Sequence, residues 1–306
     1  MNSIEGIFNT IMSRDVYQRV DDTHPVNLYL GIDDMSRWTL LLVCDNRPKP
    51  LFSSKVISVR LGKRNDSRWA LSFSLIDDNY KDLFILFCND IIETSRPLKN
   101  KGSSYVISRY EEWKNMLANS KNGLLSDLQI KGLLGEMYFI ENELISLYGI
   151  EEAVSSWMGP ELGHQDFVID NTWYEVKTVS SGMEEVRISS VEQLDRKEDG
   201  KLIIVFVDKT SVTNEKALNL NSIYYKLLSQ MIDDDIKIVF NKKLFKLGYY
   251  PRPEYEDEDY TFMISGVSHY CVTESFPCLR RNSIPSNIIR ADYTISLPAI
   301  RSYRED

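Results

Sequence analysis

Between Leu28 and Leu75 apolar and polar positions alternate in four short runs: Leu28 to Ile32, Trp38 to Val43, Lys55 to Leu61 and Arg68 to Leu75. Turns rich in Asp, Asn, Pro and Gly separate them, so the segment predicts a small antiparallel sheet. From Tyr80 to Ile92 the pattern becomes that of an apolar helix. A second helical spacing, through Val106, Ile107, Tyr110, Trp113 and Leu117, covers Ser104 to Asn119. Thr94 to Ser104, with Pro97 and Gly102 among lysines and serines, reads as a linker. The expected organisation is a β-rich N-terminal domain over 1–97, a linker helix region over 98–122 and a second domain over 123–306.

The second domain opens on Ser126-Asp-Leu-Gln129, a capping box, ahead of a long helix whose core face is Leu133, Met137, Ile140, Leu144 and Leu147. Gly149 ends that helix. After a loop with Gly159-Pro160 and Gly163, strands are expected over Asp166 to Asp170 and Trp173 to Val179, then Arg187 to Ser189, with a short helix from Val191. A buried strand Leu202 to Val207, a helix Leu220 to Ile232, a strand Ile236 to Phe240 and β-like C-terminal segments complete the pattern. This order predicts a mixed α/β (α+β) core with one central sheet flanked by helices.

Composition narrows the class. The chain has 306 residues, 43% hydrophobic and 26% charged, which excludes a disordered or fibrous protein. No apolar run approaches the ~18 residues that argue for a membrane helix, and the N-terminus lacks the shape of a signal peptide. A cytoplasmic protein without a membrane partner is therefore expected. Cys44, Cys88, Cys271 and Cys278 then read as thiols, with a Cys271–Cys278 pair or metal role secondary. His24 is expected in a loop and His269 as a hydrogen-bonded structural residue. The net charge of −9 does not advertise a nucleic-acid binder. Lys55, Arg60, Lys63, Arg64 and Arg68 form one basic group, however, and Arg280, Arg281 and Arg290 another; a local patch is enough to grip phosphate.

The chemistry concentrates in Gln165-Asp-Phe-Val-Ile-Asp-Asn-Thr-Trp-Tyr-Glu-Val-Lys177. A two-residue loop at Asp170-Asn171, or a four-residue loop around it, sets Asp166 opposite Glu175, with Lys177 two residues on along the same face. Phe167, Ile169, Tyr174 and Val176 fall on the other face. Converging carboxylates repel and invite a cation, and oxygen ligands suit Mg²⁺ or Mn²⁺. Such an ion serves phosphodiester hydrolysis, with Lys177 orienting the attacking water. The bland alternative is a hairpin wearing solvated charges, since Glu112-Trp-Lys114, Asp199-Gly-Lys201 and Asp235-Ile-Lys237 repeat the acid-x-Lys spacing without a site. His164, just before the first strand, could reach the same place.

Gly135-Glu136 on a helix, Gln165-Asp166, and Tyr174-Glu-Val-Lys177 together resemble the PD-(D/E)XK nuclease superfamily. More closely, Gly132 to Ile140, Trp157, the Gln-Asp-Phe strand, Ser189 to Leu194 and Phe276 to Pro285 are similar to bacterial PD-(D/E)XK motif proteins of restriction and defence loci. The resemblance implies a nuclease-like core over roughly Ser126 to Phe240. It implies Asp166 and Glu175 as metal-binding acids, the Val176 carbonyl as a further ligand, Lys177 as the catalytic lysine, and Glu136 as a helix glutamate aimed at the site. Gln193 is implied more weakly. Glu136 also fits a surface helix position, and Ser190 with Gln193 also fits a capping box. Gln165 stands where the named motif has proline. The implied function is a Mg²⁺-dependent DNA endonuclease of a restriction or phage-defence system, its N-terminal domain serving recognition or assembly. DNA, other defence subunits such as a helicase or ATPase, and a second copy of the chain are the expected partners. The alternatives are a catalytically silent member that binds nucleic acid or a partner, and an assembly subunit docked on a motor; the chain has no P-loop of its own.

Overall fold

Leu28, Leu30, Leu40, Leu42, Leu71 and Phe73 are the apolar halves of alternating strands, and pairing in register buries all of them against helices. The computed structural model describes residues 4–98, 102–118, 124–161 and 163–305. It divides into two units, Met1–Leu124 and Leu125–Asp306.

The first unit begins with α1 (Ile4–Thr10), followed by β1 (Val16–Arg19), β2 (Leu28–Ile32), β3 (Trp38–Cys44), β4 (Ile57–Lys63) and β5 (Trp69–Leu75). The strands form an antiparallel sheet in the order β1-β2-β3-β5-β4. Two helices, α2 (Lys81–Ser95) and α3 (Gly102–Ala118), follow. The second of these corrects the expected linker. Tyr110 lies 4.9 Å, ring to ring, from Phe73, and Trp113 meets Phe87 edge-on at 5.5 Å. Asp90, buried on α2, accepts hydrogen bonds from the Arg109 guanidinium at 2.7 and 3.0 Å and from Trp113 Nε1 at 2.8 Å. A helix that brings a tryptophan and half of a buried ion pair to the core belongs to the unit. Positions 99–101 and 119–123 of the expected linker lie outside the described residues.

In the second unit the Ser126–Gln129 capping box forms as read and starts α4 (Asp127–Phe139). A π turn at Ile140–Leu144 leads into α5 (Ile145–Tyr148), and Gly149, at φ +83°, ends the run before α6 (Ile150–Ser155). The wider turn rotates the helix face, so Leu147, expected in the core, is exposed. Then come β6 (Phe167–Ile169), β7 (Thr172–Val179), β8 (Glu185–Ile188), β9 (Gly200–Lys209), α7 (Leu220–Gln230), α8 (Asp234–Lys246), β10 (Phe262–Val272), β11 (Tyr293–Ser296) and β12 (Arg304–Glu305). The main sheet has the order β12-β10-β9-β7-β6, with β7 and β9 parallel and the other pairs antiparallel; β8 and β11 make a separate ribbon. The sheet thus runs well past Phe240, where the resemblance placed the end of the core.

Ile236 to Phe240, expected as a strand, lies in α8. The Asp233 side chain caps the helix by accepting from the Asp235 amide, and Phe240, Lys243 and Leu244 bury at helical spacing. This is packing overriding the strand preference of β-branched residues. Cys44 and Cys88 are buried and Cys271 and Cys278 half-buried, all four as free thiols. His24 lies in the loop between β1 and β2, as expected, and is buried there, its ring nitrogens on the Val26 and Ile92 carbonyls. Among the described residues no helix is long and apolar enough to cross a membrane.

Candidate functional site

The hairpin register pairs Phe167 with Tyr174, Val168 with Trp173 and Ile169 with Thr172, leaving Asp170-Asn171 as a two-residue loop. Asp170 has φ +50°, a conformation such loops require and Asp tolerates. The ladder stops one residue short of Asp166. The Asp166 backbone carbonyl instead accepts from the amides of Met158 (2.7 Å) and Gly159 (3.2 Å). Its Oδ2 accepts the Val176 amide at 2.8 Å, which brings its carboxylate to the Glu175 end of β7. β7 is paired along both edges, by β6 and β9, and packed on both faces, by α4 against Val176 and Thr178 on one and by the cluster of Val186, Ile188 and Leu194 around Trp173 on the other. Glu175 is consequently 0% exposed, with Lys177 Nζ on its Oε1 at 2.5 Å. A hairpin wearing solvated charges is therefore not what the chain builds.

The fourth member arrives from α4. At Gly135 a Cβ would stand 2.3 Å from the Thr178 methyl, so only glycine lets this helix approach β7 so closely. The next residue, Glu136, half-buried, accepts from Trp157 Nε1 at 2.6 Å. Burial and the Asp166 charge push the Glu136 carboxyl up to about 8, against the Trp157 hydrogen bond and the Lys177 charge. Burial likewise raises Asp166, with Lys177 and the Val176 amide opposing, and lifts Glu175 well above the ordinary carboxyl range, helped by the Asp166 charge. Burial disfavours the Lys177 charge, but Glu175, Asp166 and Glu136 together outweigh it and raise its pKa. Three acids thus gather about one ammonium, with Glu175 fully buried and the other three groups half-buried.

The remaining expected residues sit differently. Gln193 does not join the cluster by its side chain: Oε1 accepts the Ser189 amide at 2.8 Å, and Ser190 makes no side-chain cap, so the capping box is not formed. The Gln193 and Glu192 carbonyls accept from Gln165 Nε2 at 3.4 and 2.7 Å. Gln165, in the motif's proline position, therefore anchors the strand entry by hydrogen bonding. Val176 contributes its amide to Asp166. His164 is exposed, and His269 is held by Glu143.

Two residues carry weight that sequence reasoning missed. Lys243, 4% exposed, points all three of its protons at backbone carbonyls: Val154 and Ser155 at 2.9 Å and Trp157 at 2.6 Å. Burial pulls its pKa down. It fastens the segment that supplies Trp157 to Glu136 and two amides to Asp166. Gly159 leaves space beside the acids: a Cβ there would stand 3.2 Å from Asp166 Oδ1 and 3.3 Å from Glu136 Oε2. Lys243 had no local signal, since its partners are carbonyls far away in sequence; Gly159 had one, as a loop glycine just before an acid-bearing strand.

Among the described residues no three His, Cys, Asp or Glu side chains already converge on one metal position. Each acid commits an oxygen to a neighbour: Glu175 to Lys177, Asp166 to Val176, Glu136 to Trp157. The donor set still fits a hard divalent cation. Glu175 Oε2 is buried with no hydrogen-bond partner, and the slot at Gly159 is flanked by carboxylate oxygens that a methyl group would crowd.

A family model described as "Putative PD-(D/E)XK family member" (DUF4420) matches residues 7–298, and so spans both units. No curated protein and no solved structure matches the chain.

Proposed function

Because the chain belongs to this PD-(D/E)XK family, we propose that its second unit is a divalent-metal-dependent DNA endonuclease. Mg²⁺ is the natural ion with Mn²⁺ as substitute, and the setting is a restriction or phage-defence system. One observation carries the reading: Glu175, fully buried beside Asp166 and Lys177, leaves an oxygen without a partner. A site shaped for stability alone gains nothing from mutually repelling buried acids.

Asp166, Glu175 and the Val176 carbonyl would hold the ion, which supplies a lowered water pKa and positive charge beside the phosphate. Lys177 keeps its proton because the acids around it favour the ammonium, and Nζ can present a donor to the incoming water or to a phosphate oxygen. Trp157 fixes Glu136 Oε2, the oxygen that borders the Gly159 slot beside Asp166. Glu136, titrating near neutral pH, is suited to hold or release a proton there.

The first unit serves recognition or assembly in this reading. It carries 17 Lys and Arg against 15 Asp and Glu, whereas the second carries 19 against 30, so it is the less repulsive of the two toward a polyanion. A helicase or ATPase of the same system and a second copy of the chain are the partners we propose. The test is cleavage of DNA by the purified chain with Mg²⁺ or Mn²⁺. Lys177→Ala should retain the fold and lose at least ~10²-fold in rate. A variant that cuts as fast as the parent would remove Lys177 from the mechanism.

A further inference from the structure

The sheet face that carries Lys177 extends through the fully buried Ile204 to a groove beyond it. Register aligns Lys177 on β7 with Ile204 on β9, and Ile204 with Ser268 on β10. On the same face Tyr270 stands opposite Arg304 of β12. At a strand spacing of ~4.8 Å, the Ser268 backbone is roughly 10 Å from that of Lys177.

A groove of about 600 Å³ opens here, with Phe206 and Tyr270 in its wall and Ser268, Ser265, Arg301 and Arg304 as polar groups. A register shift between Ile264 and Gly266 bends β10 along the groove, and Gly266 adds no side chain to fill it.

The charges at this place are out of keeping with the unit around it. Acids outnumber bases there, and Arg187, Arg196, Lys201 and Arg280 each pair with a carboxylate. The Arg301 and Arg304 side chains are exposed and pair with no other described residue. Glu184 is the one carboxylate of the lining, and Asp208 behind it accepts from the Ser181 and Ser265 hydroxyls, leaving Ser268 and the two guanidiniums as the groups facing the groove without a carboxylate partner among the described residues. Unpaired guanidiniums above hydroxyls and an aromatic wall suit phosphate oxygens with a sugar or base packed below. The volume far exceeds that of one inorganic ion.

We infer that this groove holds the sugar-phosphate backbone of DNA beside the bond to be cut, with Arg301 and Arg304 on phosphates. The inference rests on the reading of the chain as a nuclease, and it assigns that nuclease a second contact with its substrate.

The test uses the full chain, a fluorescent 30-base-pair duplex (about three helical turns) and Ca²⁺ in place of Mg²⁺, with anisotropy titrations across a NaCl series. R301A/R304A should bind about tenfold more weakly, and the slope of log K against log salt should shrink by nearly 2, or ~0.9 per lost phosphate contact. R301K/R304K should recover most of the affinity. Equal weakening in the lysine variant would mean damage to the fold and would overturn the assignment. Parent affinity and slope in R301A/R304A would also overturn it, while cleavage by the parent in Mn²⁺ would leave the nuclease reading standing. A parent that neither binds nor cuts the duplex would overturn both.

Discussion

Lys177, Asp166 and Glu175 are the part of this molecule most legible in its sequence. Asp-Asn suits a two-residue turn, and alternation on either side leaves little freedom of register, so the three had to meet. What was not legible is how deeply they are buried. That depends on β9 pairing with β7, and on Gly135 letting α4 close against it, neither of which the hairpin's own residues specify. Burial gives the acids a testable sign. With chelator present, Asp166→Asn and Glu175→Gln should be at least as stable as the parent, because each relieves repulsion. In millimolar Mg²⁺ the same variants should be the less stable, because the parent gains the binding energy of the ion. Melting temperatures in the two conditions decide it, and equal shifts in both would mean the acids share no cation. The pH dependence follows from Glu136, whose pKa is raised on folding. Its contribution to stability is full below the ordinary value of 4.5 and is lost as pH rises through about 8. Urea midpoints in chelator should therefore fall across that window in the parent and fall less in Glu136→Gln.

At the scale of elements, the capping box of α4 and the strands of the first unit could be read locally, because cap and alternation are local signals. The helix at Asp234–Lys246 could not. Ile236-Lys-Ile-Val-Phe240 has the composition of a strand, and what decides otherwise is a capped start and a buried stripe that includes a lysine. That lysine ties α8 to the loop behind the acids. Lys243→Met should leave three carbonyls without donors and cost roughly 3 kcal/mol in denaturant unfolding. If the fastening matters to the site, Mn²⁺ affinity should drop as well, by roughly tenfold, as for other residues that orient ligands from behind. Calorimetric titration of Mn²⁺ into the folded variant reads this directly, and unchanged affinity would reduce Lys243 to a purely structural residue.

At the scale of the whole molecule, the boundary expected at residue 97 fails because α3 carries Tyr110, Trp113 and Arg109 into the first unit. We propose that residues 1–124 and 125–306 each fold when expressed alone, and that a fragment ending at 97 does not. Circular dichroism melts should show cooperative transitions for the first two and none for the third. The strand order has one more consequence, for the newly made chain. β7, which bears Glu175 and Lys177, is flanked by β9, but β9 is an open edge until β10 arrives at Phe262–Val272. At ~5–20 residues per second of synthesis, roughly 4–17 seconds separate the appearance of Lys177 from that of Phe262. Through that interval the ribosome holds a chain whose acids and lysine exist but whose supporting sheet does not. The strand that bears Glu175 and Lys177 gains its full sheet only once β10 has been made, so fragments released before Phe262 carry the acids and the lysine without the sheet that supports them.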